Sequence, residues 1–222
     1  MFTKSATEAI NMVATAFGRT MQPGYEIITT EIEHHSNYIP WHLQRKFNGA
    51  VIKFLKVNEQ HQIDIEEIES LITDRTKIIA ITHVSNTSGQ VIDIKRVCEI
   101  AKKHNIVVAV DGTQGAPHVK VDMQNLDCDF YAMSGHKMYG PSGIGVLYGK
   151  EALLNDMPPY EGGGEMINRV TFEKTTYAEL PFKFEAGTPH IGGIIALGSA
   201  IDYVNDIGFD AISAHEHDLL VY

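Results

Sequence analysis

Short β-branched runs alternate with amphipathic stretches along most of this chain, and that alternation constrains the fold more than any other feature. Tyr25–Thr30, Ala50–Val57, Lys77–His83 and Ile106–Val110 have the length and side chains of buried strands. Between and before them lie helical patterns. Ala9, Ile10, Val13, Ala14 and Phe17 recur at helical spacing, Gly18 closes that stretch, Asp64–Leu71 suits a short helix, and Ile94–His104 is amphipathic. Strands that are apolar on both sides, separated by helices, predict an α/β domain: a mostly parallel sheet with helices on both faces. Ala200–Tyr222 predicts one further amphipathic helix with no stop signal. At 222 residues the chain is long enough for one sizeable domain with roughly 70% of its surface buried.

The chemistry concentrates where strands end. Ser134–Gly145 reads SGHKMYGPSGIG, with Lys137 just beyond the apolar run Phe130–Met133 and a glycine-spaced strand after it. Upstream, the run VVAV ends on Asp111, and GTQGAP follows, a loop that can present Gln114. A lysine and a strand-end aspartate are what a pyridoxal phosphate (PLP) enzyme needs: the amine condenses with the cofactor aldehyde and the carboxylate pairs with the ring nitrogen. His83–Gly89 also follows a strand, on the edge where open α/β sheets bind ligands, and makes Asn86 a candidate contact. The helix opened by Lys4-Ser5-Ala6-Thr7 offers free N–H groups suited to a phosphate.

Other readings are excluded. A net charge of −10 argues against a nucleic-acid partner. No apolar stretch approaches a membrane span, and the N-terminus lacks a signal-peptide pattern. Two distant cysteines without a CxxC pair predict a reducing, cytoplasmic setting. Cys98 and Cys128 are expected to be core residues. The adjacent His34 and His35, and the His215/His217 pair, lack the i, i+4 spacing of helical zinc ligands, so no metal site is expected. GPSGIG precedes a strand instead of opening a helix, so it is no dinucleotide fingerprint. Asp122 and Asp127 read as solvated loop residues, Pro158–Gly164 as a mobile loop, and Arg169 as an arginine near it with no tie to a substrate.

EHHSN, HVSNTSG, VDGTQGAPH, SGHKMYGPSGIG and FEAGTPH occur in this order. Together they resemble class V aminotransferase-fold enzymes, most of all the SUF-type cysteine desulfurase and selenocysteine lyase group. The resemblance runs from about Thr3 to the last residue. It implies that residues 1–222 form the PLP-binding large domain of the PLP-dependent transferase fold type I. Relative to the family, that domain is truncated at both ends and the C-terminal small domain is absent. It assigns Lys137 to the aldehyde, Asp111 to the ring nitrogen and His34 to stacking on the ring. Asn86 and Gln114 contact the phenolic oxygen, with Asn86 also a candidate for the substrate carboxylate. Thr7, Ala6, Ser134 and His136 bind the phosphate, His35 supports the site from behind, and Thr188 reaches the phosphate of a neighbouring subunit in a homodimer. His190 stands where the family pattern has asparagine.

The implied reaction takes L-cysteine to L-alanine and passes sulfur on as a persulfide to an acceptor protein for iron–sulfur cluster assembly, with L-selenocysteine as an alternative substrate. The family's persulfide cysteine and carboxylate-binding arginine belong to the absent C-terminal region, so little activity is expected of this stretch alone. The alternatives are another class V activity (transaminase, kynureninase-like hydrolase, epimerase) and a non-catalytic dimerisation or docking module.

Overall fold

The computed structural model describes all 222 residues. In chain order the elements are β1 (Phe2–Thr3), α1 (Ala6–Gly18), β2 (Glu26–Thr30), α2 (His35–Asn48), β3 (Val51–Leu55), α3 (Ile68–Leu71), β4 (Thr76–Thr82), α4 (Ile94–Lys103), β5 (Val107–Asp111), α5 (Gly115–His118), α6 (Met123–Leu126), β6 (Phe130–Ser134), β7 (Gly145–Gly149), α7 (Glu151–Asp156), β8 (Ile167–Val170), β9 (Thr175–Tyr177), α8 (Ile191–Ile207) and α9 (Phe209–Val221). Seven strands form one sheet in the order β1-β7-β6-β5-β4-β2-β3. The five from β6 to β3 run parallel, while β7 is antiparallel to both β6 and β1. This is the mostly parallel α/β sheet the alternating pattern predicts.

Strand side chains alternate between two cores, as a period of two requires. Ile27, Ile78, Ala80, Ala109, Phe130 and Ala132 face α1 and the buried Trp41 of α2. Ile28, Ile79, Ile81, Val108, Val110 and Tyr131 face α4 and Ile68 of α3. Both faces are therefore covered, and Ile78–Ile81 of β4 and Val107–Val110 of β5 are unbroken apolar runs. Cys98 and Cys128 lie in the second core. Burial pushes both thiols up to about 12, so neither is a ready nucleophile.

Two parts differ from the sequence expectation. The C-terminal stretch is two helices, broken at Gly208, whose φ of 82° lies in the left-handed region that glycine tolerates. Its amphipathic spacing carries through the break and hides it. The β8–β9 hairpin was not expected, because its strands are largely exposed and show no apolar alternation. Pro158–Gly164 contains no helix or strand, and its Pro159 carbonyl accepts a hydrogen bond from Arg19 at 2.8 Å. No helix is long and apolar enough to cross a membrane.

The sheet order places the C-terminal ends of β2, β4, β5 and β6 side by side. Thr30, Thr82, Asp111 and Ser134 end these strands along one edge, next to the start of α1. Gly145 permits that approach, since a Cβ there would stand 2.7 Å from the Ser5 backbone.

Candidate active site

Beyond that edge opens a cavity of about 430 Å³. Nine of the ten predicted site residues line it: Ala6, Thr7, His34, Asn86, Asp111, Gln114, Ser134, His136 and Lys137. Thr188 does not. It lines a separate pocket with Lys4, Glu161 and His190. The same cavity also takes in Ser5, Ser36, Thr82, Val84 and Thr113, which the sequence reading did not single out. Single residues at strand ends, caps and turns carry no periodic signal, and only the folded edge brings them together.

Asp111 ends the central strand and is 3% exposed. One oxygen accepts the Thr113 N–H at 3.0 Å, and no cation pairs with the carboxylate. Burial pushes its pKa up, against the pull of the Thr113 bond and the charge of His34. Glu26, at the other end of β2, is the contrast. It is equally buried, but Lys53 stands 2.7 Å away and Thr73 and Thr76 donate to it. Burial would raise that carboxyl too, yet these partners hold it below its ordinary range. Asp111 is thus a buried carboxylate facing a polar cavity without its counter-charge.

His34 is the N-cap of α2, and its Nδ1 accepts the Ser36 N–H at 3.1 Å. That bond sets the neutral ring as the Nε2–H tautomer. Ser36 Oγ in turn meets Thr7 Oγ1 at 2.8 Å, joining the starts of α2 and α1. The His34 and His35 rings are tilted at 41° with centroids 6.1 Å apart.

Lys137 ends a single 3-10 turn, Gly135–Lys137, directly after β6. It is exposed and makes no ion pair, so its amine is free to react. Ser5 caps α1. The buried Ala6 N–H is taken by Ser134 Oγ at 2.9 Å. Of the two amides expected to face a phosphate, Ala6's is therefore engaged within the protein, and Thr7's remains at the first turn of α1. The Ser134 hydroxyl accepts from Ala6 and keeps its own proton to donate. The positive end of the thirteen-residue α1 adds to this anion-binding corner.

Pyridoxal phosphate fits these donors. The helix start with Thr7, Ser134 and His136 suits its phosphate, the uncompensated Asp111 suits a protonated ring nitrogen, and the free Lys137 suits an aldehyde. Arg169 and both cysteines lie outside the cavity.

The family model described as aminotransferase class-V matches residues 1–222. A probable cysteine desulfurase of Halalkalibacterium halodurans is 52% identical over 223 residues, covering 100% of this chain and 55% of the relative. A crystal structure of an Escherichia coli cysteine desulfurase superposes with a TM-score of 0.92 at 44% identity, over 95% of this chain and 53% of that one. An apo cysteine desulfurase of Thermococcus onnurineus gives a TM-score of 0.94 at 37% identity, over 99% of this chain and 55% of that one. The chain spans about half the length of the curated relatives it matches.

Proposed function

The chain belongs to the aminotransferase class-V family, a pyridoxal phosphate-dependent family, and from that premise we propose that it is the cofactor-binding part of a cysteine desulfurase. The observation that carries the reading is Asp111, a buried carboxylate without a counter-charge, in one cavity with a free lysine amine. The relatives named as cysteine desulfurases over the whole chain support the choice of L-cysteine over other amino acids.

When bound, pyridoxal phosphate would supply an aldehyde for an amine and an electron-poor ring that accepts the electron pair left by the α-proton. The chain's own groups do the rest. Lys137 Nζ would hold the aldehyde and would serve as base and acid for the protons at the substrate's carbon. Asp111 would hold a proton on the ring nitrogen. His34 would set its ring against the cofactor's, Gln114 would reach the phenolic oxygen, and Asn86 would reach that oxygen or the substrate carboxylate. Thr7, Ser134 and His136 would anchor the phosphate. The carbon–sulfur bond of L-cysteine then breaks, sulfur passes to an acceptor thiolate as a persulfide, and the remaining carbon takes a proton to become L-alanine.

Neither Cys98 nor Cys128 is that acceptor, since both thiols are buried away from the cavity. Thr188, outside this cavity, is assigned to the site of a second copy in a homodimer. The proposed setting is cytoplasmic sulfur delivery to an acceptor protein for iron–sulfur cluster assembly.

The test is product analysis with PLP, L-cysteine and a thiol reductant, on the chain extended through the C-terminal part that its longer relatives have. Alanine and sulfide in equal amounts, without any keto acid, are expected. Alanine formation that requires a keto-acid acceptor would make the protein a transaminase instead.

A further inference from the structure

Glu33 is a half-buried acid that the chemistry above does not use. It follows β2 and immediately precedes His34. Its Oε1 accepts the Thr30 hydroxyl at 2.7 Å and the Thr82 N–H at 3.0 Å, and its Oε2 accepts the Asn37 side-chain amide at 2.6 Å. Asn37 is itself buried, and its Oδ1 accepts the indole N–H of Trp41 at 3.1 Å. One carboxylate therefore ties the ends of two parallel strands to the first turn of α2.

These contacts terminate at the cavity wall. Thr82 lines the cavity, Asn37 follows Ser36, which lines it, and Glu33 precedes His34, which lines it. Glu33 itself does not line it, so any influence on a ligand passes through these neighbours. No cation compensates the carboxylate. Burial pushes its carboxyl up to about 7, against its three hydrogen bonds and with the charge of Asp111 adding to the rise.

We propose that Glu33 is a positioning residue whose carboxylate, clamped between Thr82 and Asn37, sets the His34 ring against the cavity. The proposal rests on the pyridoxal phosphate reading, because the ring being placed is the one expected to stack on the cofactor. Glutamine at this site keeps the shape but not the acceptors. Its amide nitrogen must face either the Asn37 amide or the Thr30 and Thr82 donors, and Asn37 cannot turn without releasing Trp41.

Two readouts of Glu33→Gln test the idea. In the cofactor-free chain, hydrogen exchange at the Ser36 amide, the proton held by His34 Nδ1, is expected to speed up about tenfold while Ile79 and Ile81 of β4 stay protected. In PLP titrations followed by absorbance, Glu33→Gln is expected to weaken binding about five- to tenfold in the native background and less than about twofold in a His34→Ala background, because coupled residues are not additive. Unchanged exchange at Ser36, or an equal loss of affinity in both backgrounds, overturns the proposal. Should the glutamine variant not fold, Glu33→Asp, which withdraws the charge by one methylene, gives the same readouts. If the native chain bound no PLP, the desulfurase reading would fail, while the Ser36 amide would still decide whether Glu33 places His34.

Discussion

In the chain extended through the C-terminal part of its longer relatives, Lys137→Ala is expected to abolish turnover of L-cysteine, with a loss of at least about 10⁴ in kcat/KM. Proton transfer by a positioned side chain contributes about 10²–10⁴ on its own, and the same nitrogen is the proposed anchor for the aldehyde. A factor of 10⁴ corresponds to about 5.5 kcal/mol of barrier. Stability should not follow. Lys137 is exposed and holds no ion pair, so its removal should change unfolding free energy by no more than about 0.5 kcal/mol. Steady-state kinetics beside urea unfolding separate the two effects. A variant within tenfold of native activity would remove Lys137 from the chemistry, and a variant that had lost both activity and stability would mark it as structural.

Asp111→Asn is expected to move activity and stability in opposite directions. With the cofactor bound, the variant loses the ion pair at the ring nitrogen. Breaking a buried pair costs on the order of 3–5 kcal/mol, and if that cost falls on the transition state the rate falls by about 10²–10³. Without the cofactor, asparagine should stabilise the chain by about 0.5–2 kcal/mol, as replacements of strained functional groups commonly do. The side-chain oxygen still accepts the Thr113 N–H, and the uncompensated charge is gone.

The pH dependence has a definite sign. Burial raises the carboxyl of Asp111 above its unfolded value of 3.8. The folded chain therefore binds that proton more tightly than the unfolded chain. The resulting stability is present below the unfolded pKa and is lost as pH rises through the folded one. The advantage of Asp111→Asn should accordingly be small in acid and grow as pH rises, which urea unfolding across a pH series measures. An advantage that shrank with rising pH would mean that the carboxylate has found a counter-charge.

The sheet was legible because its strands are buried on both faces. Ile27 and Ile28, or Ile78 and Ile79, feed opposite cores, and such pairs leave β-branched runs that no helix pattern mimics. Strand ends were legible for the same reason: Asp111 is conspicuous because it stops a run of valines. The cap of α2 was not, because helices usually open on Ser, Thr, Asp or Asn, and here a histidine takes that place. The engagement of the Ala6 amide by Ser134 was equally hidden, since it joins residues 128 positions apart. Glu33 showed only as part of a motif, because its partners Thr30, Thr82 and Asn37 meet through the β2–β4 pairing. Thr188 falls outside the cavity, where its assignment to a second copy's site depends on an assembly that a single chain does not contain.

Every role proposed here depends on one cavity binding pyridoxal phosphate with its aldehyde on Lys137. Absorbance of the purified chain mixed with PLP, before and after borohydride, followed by peptide mapping, tests it most directly. A visible band that borohydride bleaches and one reduced adduct, on Lys137, are expected. A folded chain with no band, or with its adduct spread over surface lysines such as Lys102 and Lys103, would contradict it.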